Sequence, residues 1–232
     1  MKYQQIKKQL LLEMREAGLE EGQALPGENA LAERFGVSRM TARRALSDLQ
    51  DEGYLVRIPG KGNFLRKPVV TQGFFKIRPF REYARNLGAE PSTCVLFAGL
   101  VKPPDRVSQA LGLGPGAKVV LVHRLRGLDG EPVMEEKRYL RADLCATLLE
   151  EDLEAGSIHE LLIERLKLPL TKVWQRLQAV VLEGEAARHL GQLPGSPAFR
   201  LERITYTYDA PVTWVQYLMC GARYLFEETF SP

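Results

Sequence analysis

Apolar residues recur at helical spacing through the first fifty positions of the chain. Ile6, Leu10, Met14 and Ala17 share one face of a helix predicted over about 3–17, and Gly18 stops the pattern. Leu25-Pro26-Gly27 reads as a turn, after which Leu31 and Phe35 point inward from a short helix over about 28–35. Gly36-Val37-Ser38 is a tight break, and Ser38 is suited to cap a third helix. That helix turns Ala42, Ala45, Leu46 and Leu49 inward, shows Arg39, Thr41, Arg43 and Arg44 outward, and closes at Gly53. Two helices joined by a three-residue turn containing glycine form a helix-turn-helix. Tyr54–Ile58, the Pro59-Gly60-Lys61-Gly62 turn and Asn63–Arg66 then predict a hairpin with Lys61 at its tip.

Beyond a segment over 67–73 that lacks helical period, the chain repeats itself. Leu111-Gly112, Pro115-Gly116, Arg124-Leu125 and Pro132-Val133 return as Leu190-Gly191, Pro194-Gly195, Arg203-Ile204 and Pro211-Val212 at a constant offset of 79. Each copy reads as strand, short helix, Pro-Gly turn, strand, polar turn, strand. The first places strands at about 93–102, 118–127 and 132–140 with a helix near 105–111. The second places them at about 171–183, 198–208 and 211–219 with a helix near 184–191. Between the copies, Ser157 leads into an amphipathic helix carrying Ile158, Leu161 and Leu162. Antiparallel hairpins with interspersed helices predict an α+β domain, its two copies paired into one sheet with a cleft where they meet. The expected organisation is a helix-turn-helix domain with a β wing over 1–67, a linker over 68–73 and an α+β domain over 74–232.

Composition narrows the class. With 232 residues, 45% hydrophobic and 26% charged, the chain is not a disordered one. Three scattered cysteines make no disulfide framework, so a cytoplasmic home is expected. No run of about 18 apolar residues exists, so no membrane span is expected. Charge is more telling by position than in total. Residues 34–67 carry eight Arg or Lys against three acids, whereas residues 13–33 carry six Glu against one Arg. A solvated helix face would give the same excess, but the spacing decides for nucleic acid. The exposed arginines occupy the first turns of the second helix of the pair, which reach base edges when such a helix enters the major groove. Lys61 on the wing is placed for the backbone or the minor groove.

In the second domain, period-two alternation puts Arg124 and Arg126 on one strand face, where half-buried guanidinium groups need an anion. Glu135, Glu136, Glu202 or a ligand would serve. A two-residue turn at Asp129-Gly130 sets Glu135 opposite Arg124, and a three-residue loop with a bulge sets Glu136 there. Arg203 repeats the position of Arg124. Ser157 either caps its helix or offers that helix start to an anion. His123, His159 and His189 lack metal-ligand spacing and read as structural or surface groups. No nucleophile elbow, phosphate-cradling loop or zinc motif is present, so no catalytic residue, metal or cofactor is expected.

The run LPGENALAERFGVSRMTARRALSDLQDEGYLVRIPGKGNFL, over about 25–65, resembles the GntR family of bacterial transcription regulators. The resemblance implies DNA contacts from Ser38, Arg39, Thr41 and Arg43 and, on the wing, from Lys61 and Gly62. Arg44 joins them by its exposure, and Asn29 stands where the family usually has arginine. Residues 74–230, with Arg124-Leu125-Arg126, the Asp129-Gly130-Glu131-Pro132 turn and Ser157-Ile158-His159, resemble the UTRA effector domain of the HutC-type subfamily. That domain shares its fold with chorismate lyase. The resemblance implies an effector site with Glu136 as its hairpin acid, Phe80 and Arg81 in a loop closing over the ligand, and His159 in place of an aromatic. Arg124, Arg126, Ser157 and Arg203 complete the expected set. Thr213, Met219 and Ala222 depart from the family's usual residues. The expected protein is a cytoplasmic, homodimeric repressor that binds a two-fold double-stranded DNA operator and a small anionic effector. A lyase-like enzyme, and a dimeric DNA binder whose pocket is filled by side chains, are the alternatives.

Overall fold

The computed structural model describes residues 2–16, 22–51, 54–66, 70–72 and 80–227. The chain divides into two compact units, Met1–Val70 and Thr71–Pro232. In the first unit, α1 (Lys2–Glu16), α2 (Glu28–Phe35) and α3 (Arg39–Asp51) pack around Ile6, Leu10, Leu31, Ala42, Ala45, Leu46 and Leu49. Gly36 ends α2 in the left-handed conformation at φ 58°, and its N–H donates to the carbonyls of Ala32 and Glu33. This left-handed cap reverses the chain within three residues, which is why glycine stands there. Ser38 then caps α3: its Oγ accepts from the Thr41 N–H at 3.2 Å. Gly18 and Gly53, expected helix stops, lie outside the described residues.

Strands β2 (Leu55–Ile58) and β3 (Gly62–Leu65) form the wing hairpin. The expected turn at Leu25 is instead partly a strand: β1 (Ala24–Leu25) pairs with β3, making a three-stranded sheet in the order β1-β3-β2. Two residues are too few to show a period, so nothing in the sequence marked β1. Part of the expected linker is a strand as well. β4 (Val70–Gln72) pairs with β11 (Tyr224–Phe226), while 67–69 and 73 lie outside the described residues.

The second unit opens with α4 (Phe80–Asn86) and is built on six antiparallel strands. They are β5 (Pro91–Val101), β6 (Val119–Leu128), β7 (Glu131–Arg141), β8 (Lys172–Val181), β9 (Pro197–Thr207) and β10 (Ala210–Cys220), in the order β5-β6-β7-β10-β9-β8. This order reads as a palindrome of the repeat. Lys137 pairs with Gln216, its counterpart in the other copy, so a local two-fold axis runs between β7 and β10. α5 (Asp105–Ala110) and α8 (Gly184–His189) cover one face of the sheet. α6 (Ala142–Cys145), a 3-10 turn (Ala146–Glu150) and α7 (Ile158–Glu164) cover the other, burying Val120, Val122, Leu140, Leu148, Ile158 and Leu162.

The β6–β7 turn resolves the register. It is the two-residue turn, with positive φ at both Asp129 (54°) and Gly130 (84°), as the right-handed twist of a hairpin favours. Yet Arg124 pairs with Glu136, because a register shift beside Gly127 inserts one residue into β7. Each alternative therefore holds in part: the turn has two residues, and a separate bulge sets Glu136 opposite Arg124. The second hairpin shifts at the equivalent place, between Pro211 and Thr213.

Candidate functional site

Two groups of candidate residues lie in separate units. In the first, Asn29, Ser38, Arg39, Arg43, Arg44, Lys61 and Gly62 are exposed and Thr41 is half-buried. The Ser38 and Thr41 hydroxyls lie 2.9 Å apart and satisfy each other at the helix start. Glu28, at the start of α2, was not singled out from sequence, and it organises the surface. Arg39 Nε donates to it at 3.0 Å, Arg57 Nη2 at 2.9 Å, and Arg43 Nε lies 3.8 Å away. Hydrogen bonding from Arg39 leads in holding the Glu28 carboxyl below its usual range. One acid thus aligns three arginines from α3 and the wing. Arg57 was read only as a strand residue; alternation along β2 would have found it. Arg44 is exposed as expected, and its guanidinium lies over the Tyr3 ring of α1 at 4.7 Å.

In the second unit, Phe80, Arg124, Arg126, Glu136, Ser157, His159 and Arg203 line one cavity of about 80 Å³ that opens to solvent. Arg81 is not among the lining residues. It and Phe80 lie on helix α4 rather than in a loop, and the helix buries Phe80 while leaving Arg81 exposed. The cavity sits on the α7 face of the sheet, where β6, β7, β10 and β9 contribute residues from both copies.

Its chemistry is dominated by guanidinium groups. Glu136, 1% exposed, is the one carboxylate among the described lining residues. Its Oε2 accepts from Arg124 at 2.7 Å and from Arg126 at 3.3 Å, and its Oε1 accepts from Arg138 at 2.8 Å. Burial alone would raise its pKa, but Arg124, Arg138 and Arg126 together hold it far below the usual range. Two of the arginines fare less well, whereas for Arg138 burial is outweighed by Tyr217 and Glu136 and its pKa is raised. Burial, eased only in part by Glu136, pushes Arg124 down to about 10, and burial lowers Arg203. One carboxylate is oversupplied with cations, and Arg124 and Arg203 remain short of anions.

The arginines are not equivalent. Arg124 spends its donors on Glu136 and on the carbonyls of Leu153 (2.8 Å) and Gly156 (3.4 Å), clamping the segment before α7 to the sheet. Arg203 donates to the neutral Gln175 amide at 3.0 and 3.1 Å. Arg138 was not singled out from sequence. It donates to Glu136, Thr213 and Tyr217, and its spacing of two from Glu136 would have put it on the cavity face. Tyr83, Tyr217 and Tyr224 also line the cavity unforeseen. Thr213, at a position of family departure, accepts from Arg138 at 3.4 Å, and Met219 lines the cavity. Ser157 precedes α7 without a side-chain capping bond, so its hydroxyl is not consumed as a cap.

Burial, then Arg138 and Arg203, push His159 down to about 4 from 6.5, leaving a neutral imidazole in the cavity at pH 7. The fold brings His123 and His189, read from sequence as structural or surface groups, together onto Glu135 on the opposite sheet face. Glu135 is held at about 2; burial opposes this, and the His123 hydrogen bond, Lys137 and His189 outweigh it. Glu135, Glu136 and His159 all bind fewer protons folded than unfolded. Stability is therefore greatest above pH 6.5, falls toward pH 4 as unfolded His159 takes up its proton, and falls again below 4.5 as the glutamates do. A melting temperature that declines from pH 7 to 4, with the upper part of the decline lost in His159→Gln, is the expected result. An unchanged melting temperature over that range would contradict it.

Comparison with known proteins gives a consistent setting. The family model described as "Bacterial regulatory proteins, gntR family" matches residues 2–65, and that described as "UTRA domain" matches 86–224. The chain is 30% identical over 204 residues, 88% of its length and 84% of the relative's, to the HTH-type transcriptional repressor NagR of Bacillus subtilis. It is 27% identical to the histidine utilization repressor of Pseudomonas putida, covering 99% of this chain and 92% of that one. The crystal structure of PhnF from Mycobacterium smegmatis superposes with a TM-score of 0.72 at 24% identity, covering 97% of this chain and 99% of that one.

Proposed function

Because this chain belongs to the gntR family of bacterial regulatory proteins, in the branch that carries a UTRA domain, we propose that it is a repressor released from DNA by a small anionic metabolite. The membership makes it a DNA-binding transcription regulator and not an enzyme, which removes the lyase-like alternative. The similar proteins named as repressors support that direction of control. Arg39 and Arg43 would read or grip the operator from α3, Lys61 and Gly62 from the wing, and Asn29, Ser38, Thr41 and Arg44 from around them.

The observation that carries the effector reading is the set of four guanidinium groups, Arg124, Arg126, Arg138 and Arg203, that line one cavity with a single carboxylate, Glu136, among them. Arg203, Arg126 and Arg138 would hold the anionic head, with Ser157, His159 and Tyr217 bonding the rest and Phe80 forming an apolar wall. Glu136 balances the arginines instead of contacting the ligand, and Arg124 braces the site. Binding would bias the DNA-binding units through the segment 67–73, by a coupling of about 1–3 kcal/mol.

A thermal-shift panel of inorganic phosphate, sugar phosphates and small carboxylic acids tests this. At least one should raise the melting temperature and release operator DNA. Arg203→Gln should weaken that ligand about tenfold while leaving ligand-free operator affinity intact. A panel without a hit, or an Arg203→Gln variant indistinguishable from wild type, sinks the reading. A homodimer follows from the need to span two half-sites, since one recognition helix contacts too few base pairs. The exposed Leu96, Phe97 and Leu100 on edge strand β5 supply apolar surface for it. The full chain should sediment as a dimer at micromolar concentration, and a clean monomer would refute this.

A further inference from the structure

On the sheet face opposite the cavity, three residues able to bind a metal converge from distant parts of the chain. His123 comes from β6, Glu135 from β7 and His189 from the last position of α8. His123 Nε2 lies 2.6 Å from Glu135 Oε1, and His189 Nδ1 lies 3.2 Å from the same oxygen. One donor atom from each residue falls within 4.8 Å of the others, and the two imidazole rings meet edge-on with centroids 5.6 Å apart. Glu135 is 2% exposed, and its Oε2 is buried without a hydrogen-bond partner. A buried carboxylate oxygen left unpaired costs stability unless something binds it.

The repeat supplies an internal comparison. The positions equivalent to His123, Glu135 and His189 in the other copy are Glu202, Trp214 and Ala110. There Trp214 packs with Tyr139, Val107, Leu111 and Val119, and Arg106 stacks on its ring. Apolar packing around Trp214 and a Glu202–Arg176 ion pair therefore satisfy the fold at this place, and nothing in the architecture demands two histidines gathered on one acid.

We propose that His123, Glu135 and His189 form a binding site for a divalent transition-metal ion of the zinc class. Two imidazoles and one carboxylate suit such an ion, with water filling its remaining positions. Bonds of about 2.0–2.2 Å to a shared ion put the donors roughly 3 Å apart, close to the 2.6 and 3.2 Å that separate the imidazole nitrogens from Glu135 Oε1. Lys137, whose Nζ lies 3.5 Å from Glu135 Oε1, is 37% exposed and sits on a flexible stem that can turn to water as the ion enters. The ion would tie β6 and β7 of one copy to α8 of the other.

The test uses full-length protein stripped with a chelator and dialysed, then titrated with Zn2+ by calorimetry and with Co2+ by visible absorption. The expected result is one ion per chain, ligand-field bands from Co2+ and a raised melting temperature. His189→Ala alters a partly exposed residue at a helix end, so the variant should fold, as circular dichroism would verify. It should weaken binding at least about tenfold, as should Glu135→Gln. Cys94→Ser, which removes the exposed thiol, should leave binding unchanged. Absence of saturable binding at about 100 µM metal, or binding unaltered in both His189→Ala and Glu135→Gln, would overturn the proposal.

Discussion

Glu136→Ala should destabilise the second unit by about 3–5 kcal/mol, the usual cost of removing one partner from a buried ion pair. The reason is geometric. Arg124, Arg126 and Arg138 are 1%, 6% and 6% exposed, and all three donate to this one carboxylate. Without it, three guanidinium groups remain in a low-dielectric site with no nearby counter-charge, and each repels the others. Both tryptophans, Trp174 and Trp214, belong to this unit, so fluorescence during urea denaturation reports its unfolding selectively. Phosphate or sulfate should restore part of the loss by occupying the emptied place. A cost below about 1 kcal/mol would mean that the arginines reach water by small rearrangements, and the anion-binding reading would lose its basis.

Operator affinity should fall by about 1–3 kcal/mol in Arg39→Ala or Arg43→Ala, with most of the loss confined to specific sequence. Both side chains are largely exposed, at 69% and 58%, and Glu28 holds them in a common orientation. Binding DNA then requires only that the arginines exchange part of one carboxylate for phosphate or a guanine edge. Lys61→Ala should weaken specific and scrambled duplexes alike and lower the salt slope by about 1, because a wing-tip ammonium acts as a point charge. The comparison is made by anisotropy against a duplex selected from random sequence. Affinity unchanged in all three variants would remove α3 and the wing from the interface.

The parts of the fold that were legible in the sequence are those with a period or a counterpart. α2 and α3 show themselves by their apolar spacing, and the six long strands by the offset of 79, which lets each copy check the other. What escaped has no such signal. β1 is two residues long, and the bulge beside Gly127 changes pairing without changing composition. Arg138 was within reach, since alternation from Glu136 places it on the same face, but only once β7 is known to be buried there on both sides. The meeting of His123 with His189 depends on α8 crossing to the other copy's strand, and no local spacing encodes that.

The palindromic strand order has a consequence for what the cavity can select. A seam between two identical chains must present every group twice, and so favours a molecule with two like ends. Covalent duplication lifts that restriction, because a substitution in one half need not appear in the other. Here Arg138 stands where the other copy has Tyr217, and Arg126 where it has Thr205, so cationic groups have accumulated toward one side of the axis. Such a seam discriminates head from tail, and its best occupant is a molecule charged at one end and merely polar at the other.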